Sequence, residues 1–209
     1  MGAMACGLAL AAALMARPAA ADSGEDLQST FLAELNFVRT QPAAYIPVLM
    51  AYRAKFKGMV VEERNRRPMI RTHEGVGAVD EAIAFLRDQA PLDTLAPSSV
   101  LVASADSHVR DQGPIGGMGH IGADGSDPGQ RVDRYGHWTG RMAEDISYGF
   151  DASAKDVVRQ LIVDDDVPDR GHRKAIFNPA MRYAGVACGP HKVYRFMCVI
   201  DFASTVWER

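Results

Sequence analysis

Residues 181–205, MRYAGVACGPHKVYRFMCVIDFAST, constrain the fold more than any other part of the chain. Short β-branched and aromatic runs alternate there with turn residues, the pattern of a β-hairpin. Cys188 and Cys198 flank the Gly-Pro-containing turn, so their side chains can meet across an antiparallel pair in an oxidising compartment. A disulfide is the favoured reading and two buried free thiols the other. Because strands gather at this end instead of alternating with helices, the pattern predicts an α+β chain with helices packed over an antiparallel sheet.

Helical periodicity fills much of the rest. Leu27, Phe31, Leu35 and Val38 fall on one face, and Pro42 restarts a second stretch through Tyr45, Leu49 and Tyr52, so a helix broken near Gln41 is expected. Two β-prone runs between Gly58 and Ile70 surround Arg64-Asn65-Arg66-Arg67, and VGAVDEAIAFLRDQ then reads as an amphipathic helix ended by Pro91. Pro97-Ser98-Ser99 opens another helix, with Leu101, Ala105 and a packed His108 on one face, until Gly113-Pro114 breaks it. A short helix over Val132 to Tyr135 and a short extended piece over Ile146 to Tyr148 follow. Ala154 to Val163 then reads as a helix with Val157, Val158, Leu161 and Ile162 inward, closed by Asp164 to Asp166.

A chain of 209 residues can bury a real core, and its length favours one domain. The formal net charge of -3 leaves no basic excess, and the densest basic cluster, residues 64–67, reads as a solvated hairpin loop, so no nucleic-acid partner is expected. The opening MGAMACGLALAAALMARPAAADS holds an apolar run from Leu8 to Met15 and then Ala19-Ala20-Ala21, the pattern of a secretory signal ending near Ala21, although no Lys or Arg precedes the run. Residues 1–21 are thus read as a signal peptide and 22–209 as the mature domain, exported to the periplasm or beyond. Cys6 would leave with the signal. No later run approaches the roughly 20 apolar residues of a spanning helix, so no membrane span is expected.

Three segments stand out as carriers of chemistry. GGMGHIGADGSDPGQ must be a loop, and it places His120 where backbone can approach closely. Met142-Ala143-Glu144-Asp145-Ile146 and Asp169-Arg170-Gly171-His172-Arg173, the latter followed by Asn178-Pro179, are the others. With the helix ahead of His172 and the strand Ala184-Gly185-Val186-Ala187, these resemble the CAP superfamily (SCP domain), the fold of cysteine-rich secretory proteins, antigen 5 and plant pathogenesis-related proteins, in particular its exported bacterial members. The resemblance covers about residues 27–203. It implies a CAP-type α-β-α sandwich in which two histidines and two acids face one another in a central cleft. Carried over, the histidines are His120 and His172 and the first acid is Glu144, with Asp145 where the family usually has Asn, which adds a negative charge nearby. The second acid, usually a Glu, falls on Asp164-Asp165. An ungapped match favours Asp164, helical spacing turns Asp165 toward the core, and both remain candidates.

The resemblance also implies that a divalent metal such as zinc can be held there, with His120, His172 and Glu144 as ligands and a fourth position open to water. Without metal the same group is a buried acid–histidine network. Arg170 and Arg173 can pair with Glu144 or the aspartates, or hold the helix-to-strand corner, the role favoured for Arg173. His73-Glu74 lacks the second histidine of a zinc-protease helix and reads as a loop before a helix. Ser126 lacks a nucleophile-elbow context and reads as a cap. His137, Trp138 and His191 fall in loops or turns and receive no role. The leading function is a binding module for a metal, lipid or envelope ligand. A metal-dependent peptidase or esterase using the same cleft is the alternative, and a structural or defensive secreted protein the third.

Overall fold

The structure, a computed structural model, describes residues 22–62, 70–149 and 153–209. The signal segment 1–21, Cys6 and the basic loop 64–67 lie outside the described residues.

The chain opens with α1 (Asp22–Thr40) and α2 (Pro42–Arg53), which part at Gln41, where Pro42 takes the first helical position. Three two-residue strands, β1 (Phe56–Lys57), β2 (Val60–Val61) and β3 (Ile70–Arg71), make a small antiparallel sheet ahead of α3 (Val76–Asp88). The two-residue β4 (Ala96–Pro97) leads into α4 (Ser99–Ile115), whose first turn is capped by the Ser98 hydroxyl accepting from Leu101 N. Then come α5 (Pro128–Val132), β5 (Gly136–Tyr148), α6 (Ala154–Val163), α7 (Gly171–Ile176), β6 (Tyr183–His191) and β7 (Arg195–Glu208).

The main sheet has the order β4-β6-β7-β5, antiparallel except that β4 adds a short parallel pair to β6. Partners directly opposite on antiparallel strands share a face. Ala184, Val186, Cys198, Ile200 and Phe202 pack on the core formed by α1, α2, α3 and α6. Ala187, Met197, Val199 and Ile146 pack on Ala105 and Val109 of α4, and Val100, Leu101, Val132, Ala203 and Val206 extend that layer. The result is helices on both faces of one sheet. The α4 layer lies so close that a Cβ on Gly185 would stand 2.2 Å from Val102 N. The free edge of β6 is met by the Gln28 side chain of α1, which donates to Ala184 O at 3.0 Å and accepts from Val186 N at 2.8 Å, completing a ladder that β4 leaves unfinished.

Cys188 and Cys198 face each other in register and form a disulfide, with S–S 2.06 Å. Three expectations are corrected. The helix α4 does not break at Gly113-Pro114 but continues to Ile115 and ends at Gly116, in left-handed conformation with φ 75°. Pro114 sits in the last turn, where its missing N–H costs one bond, and Gly113 gives Pro190 O the close approach it needs. The strand β5 begins at Gly136, ten residues before the expected piece, and so contains His137 and Trp138; a register shift between Thr139 and Met142 spoils its alternation. The short helix lies at Pro128–Val132, and Asp127 forms the capping box with Gln130 while Ser126 Oγ donates to Asp124.

Candidate functional site

The loop after α4 is fastened from three sides before it presents His120. Gly119 O accepts from His108 Nε2 at 2.9 Å and from Gln112 Nε2 at 2.8 Å, and Gly119 N donates to the Tyr148 hydroxyl at 2.9 Å. Because a carbonyl can only accept, His108 carries its proton on Nε2, and burial pushes its pKa down toward the neutral form. From α5 the buried Arg131 donates Nη1 to His120 O at 2.9 Å and to Ser126 O at 3.0 Å, and Nη2 to Glu144. The His120 ring then lies with Nδ1 2.9 Å from Glu144 Oε1. The Glu144 carboxylate is fully buried while the His120 side chain is 48% exposed, so a solvent-facing imidazole stands on a buried anion.

Electrostatics separate the acids on this face. Burial pushes the Glu144 carboxyl up, but the His120 hydrogen bond and the Arg131 guanidinium outweigh it and hold it below the usual carboxylate range. Asp201, opposite Glu144 on β7 and beside Ser104, is pushed well up by its burial and by the Glu144 charge. The charge at this spot is therefore favoured on Glu144, and Asp201 is shifted toward its protonated form.

The second histidine is held at the end of α6. Asp164 closes that helix in left-handed conformation, φ 58°, and accepts from His172 N at 3.0 Å, Arg173 N at 3.3 Å and His172 Nδ1 at 2.6 Å. A carboxylate accepts, so His172, like His120, carries hydrogen on Nδ1 and leaves Nε2 for other contacts. Asp165 points elsewhere and takes the backbone N–H groups of His73 and Glu74, each at 2.8 Å. Of the two candidates it is thus Asp164 that meets a histidine. Arg170 pairs with Glu74 and Glu81, and Arg173 donates to Glu81 and to the Ile162 and Val163 carbonyls. The cation on Glu144 is Arg131, which the sequence did not mark, since nothing ties residue 131 to residue 144 before the fold does.

Successive residues of a strand face opposite sides. Glu144 accordingly turns to α4 and His120, and Asp145 turns to α6 and Asp164. Asp145 is fully buried, and its pKa is pushed well up by burial first, then by the neighbouring carboxyl groups, Asp164 and Glu144 ahead of Asp201. Burial thus works against the extra negative charge expected at this position and favours the protonated carboxyl, which has a donor and an acceptor, as the amide of Asn has. β5 is the edge strand, and Ile146, on Glu144's face, lines a cavity of about 210 Å³ together with Leu161, Val163, Val167, Asp164 and His172.

A metal centre made of His120, His172 and Glu144 does not fit this arrangement. Glu144 Oε1 is bonded to His120 and Oε2 to Arg131, and no three His, Cys, Asp or Glu side chains converge on one ion position among the described residues. Neither imidazole bonds a Ser, Thr or Cys side chain among those residues.

Residues 81–202 match the model of the cysteine-rich secretory protein family, CAP, a span that includes both histidine–acid pairs. Among solved structures, an outer surface protein from Borrelia burgdorferi is similar, with TM-score 0.45 and 20% identity over 54% of this chain and 78% of that one. An extracellular protein containing a SCP domain from Bacillus anthracis str. Ames is similar with TM-score 0.43 and 17% identity, over 61% of this chain and 37% of that one. No curated protein matches.

Proposed function

The chain belongs to the CAP family, and from that premise we propose that it is an exported binding module that holds a small ligand of the envelope beside His172. The cavity carries this reading. Its wall is apolar along Ile146, Leu161, Val163 and Val167, and its polar side carries His172, Gln160, Arg71, Thr72 and the Asp164–Asp165 pair. At about 210 Å³ it lies below the roughly 300–1,000 Å³ of drug-sized sites, so the ligand is compact. With Nδ1 engaged by Asp164, Nε2 of His172 is left for a further hydrogen bond, which suits a hydroxyl on an otherwise apolar molecule.

The test uses 1-octanol and 4-methylphenol as probes, read by saturation-transfer NMR. Both should receive saturation from the wild-type protein and lose it in Val167→Trp, a substitution at a half-buried wall position. Equal transfer to the two proteins would remove the cavity from the function.

A hydrolytic reading has one observation in its favour: an imidazole oriented by a buried carboxylate is also the arrangement of a general base. On that reading His172 would draw a proton from water, and release of p-nitrophenol from p-nitrophenyl acetate would vanish in His172→Ala. The binding reading expects no such release above the uncatalysed rate from either protein. For the three-ligand metal centre the measurement is calorimetric titration of zinc and manganese into chelator-treated protein. Because Arg131 already neutralises Glu144, no saturable site that depends on Glu144 is expected, and Glu144→Gln should leave the heats unchanged.

A further inference from the structure

Of nine large hydrophobic side chains left exposed among the described residues, five, Ile115, Met118, Ile121, Val193 and Tyr194, belong to two neighbouring protrusions. One is the end of α4 with the loop after it, and the other is the three-residue tip between β6 and β7. They touch: a Cβ on Gly116 would stand 2.8 Å from Val193 Cγ2, and Lys192 N donates to Gly113 O at 2.9 Å. His191 locks them, with Nδ1 accepting from Val193 N and Tyr194 N at 3.3 and 3.0 Å and Nε2 donating to Gly117 O at 2.8 Å. The buried histidine that the sequence left without a role therefore fixes an apolar prominence in one shape.

Along the two segments that build it, the formal charges are of one sign. Residues 112–123 and 186–200 contain no Asp or Glu, in a chain whose net charge is -3. Lys192 on the tip and Arg195 at the start of β7 are exposed, and Arg110, which pairs with Asp106 one turn back, borders the shallow apolar dip between Val109, Pro114 and Pro190. Of the acids that bound the first segment, Asp111 on α4 accepts from Ala123 N, and Asp124 accepts from Ser126 and pairs with Arg134.

We infer that this prominence docks on an anionic lipid surface, with Ile115, Met118, Val193 and Tyr194 entering the headgroup boundary and Lys192 and Arg195 meeting the lipid charge. Apolar tips ringed by cations suit that occupant, because a bilayer accepts protruding side chains without a shaped counterpart and adds attraction for each nearby Lys or Arg. The tip is already fixed by His191, so docking orders little new structure. This inference is independent of the ligand cavity and survives if that reading fails.

The experiment is co-sedimentation of the full chain with phosphatidylcholine vesicles and with vesicles of equal parts phosphatidylcholine and phosphatidylglycerol. Wild type should partition onto the anionic vesicles and lose most of that binding at about 0.5 M salt, where the Debye length falls to a few ångströms. The double substitution Ile115→Asp/Val193→Asp should lower the partition coefficient at least tenfold, and Lys192→Glu/Arg195→Glu should do the same. All four positions are exposed, so unchanged melting curves are expected, and comparison within one background cancels any contribution of residues 1–21. Equal binding to both vesicles, or binding that neither double substitution reduces, would overturn the inference. So would self-association in sedimentation velocity that Val193→Asp abolishes, since the prominence would then be a contact between protein copies.

Discussion

At the residue scale, two carboxylates that are neighbours in sequence are pushed in opposite directions, Glu144 toward its anion and Asp145 toward its neutral acid, because they face opposite layers. Glu144 has two donors that favour its anion, and Asp145 has burial and three acidic neighbours that oppose it. Asp145's folded-state pKa lies above its unfolded value near ~4, so between the two the folded chain binds more protons, and stability falls as pH rises through that window. Asp145→Asn keeps the donor and acceptor and removes the proton linkage. Its melting temperature should equal wild type below about pH 4 and exceed it increasingly above, by about 2–4 °C for each 1 kcal/mol gained. Thermal melts across pH check this, and a constant difference at all pH values would mean that Asp145 does not titrate with folding. Much at this scale was legible beforehand: His120, Glu144 and His172 were marked by their motifs, and the structure gives each histidine a buried acid. What one dimension could not carry was the partner set. Arg131, His108 and Tyr148 converge on the His120 loop from three elements, and no local signal joins them. The choice between Asp164 and Asp165 turned on one left-handed residue at a helix end, which places the Asp164 side chain under α7.

At the element scale, the sheet's position under α4 depends on the missing side chain at Gly185. Its Cβ would meet Val102 N at 2.2 Å and the Leu101 carbonyl carbon at 2.3 Å, and both are backbone atoms of a helix, which cannot step aside one residue at a time. Gly185→Ala should therefore cost about 3 kcal/mol or more, at or beyond the upper end of overpacking penalties, and urea unfolding is the measurement. A cost below about 0.5 kcal/mol, typical of a surface change, would show that α4 is not seated as described. The hairpin pair β6–β7 and helices α1, α2, α3 and α6 were readable because period and turn signals agreed there. β5 was not, because its register shift near Gly140 (φ 84°) breaks the alternation that makes a strand visible. The end of α4 departs from its sequence pattern for the converse reason: Gly-Pro is a strong breaker in sequence, yet at a helix terminus Pro loses only one bond, and the close approach of Pro190 calls for Gly.

At the scale of the whole molecule, the folding unit is larger than the span that matches the family. Residues 81–202 omit α1 and α2 entirely, yet α1 supplies Phe31, Leu35 and Val38 to the main core and Gln28 to the open edge of β6. Arg39, also on α1 and fully buried, donates to the carbonyls of Asp93, Ile176, Asn178 and Met181, tying the segment around α7, and with it His172, to the far end of the chain. Removing α1 would leave those carbonyls without the donor and the β6 edge without its amide, each such loss costing about 1–3 kcal/mol, before the exposed core is counted. A chain of residues 81–202 should accordingly remain unfolded or collapse without a fixed core, whereas residues 22–209 should melt cooperatively. The three clusters that make the described core draw on nothing before Leu27. Far- and near-ultraviolet circular dichroism on both fragments decides the matter. A native-like near-ultraviolet spectrum and sharp transition from residues 81–202 would show that the β-hairpin, α4 and α6 form a self-sufficient core, and that the first two helices only cover it.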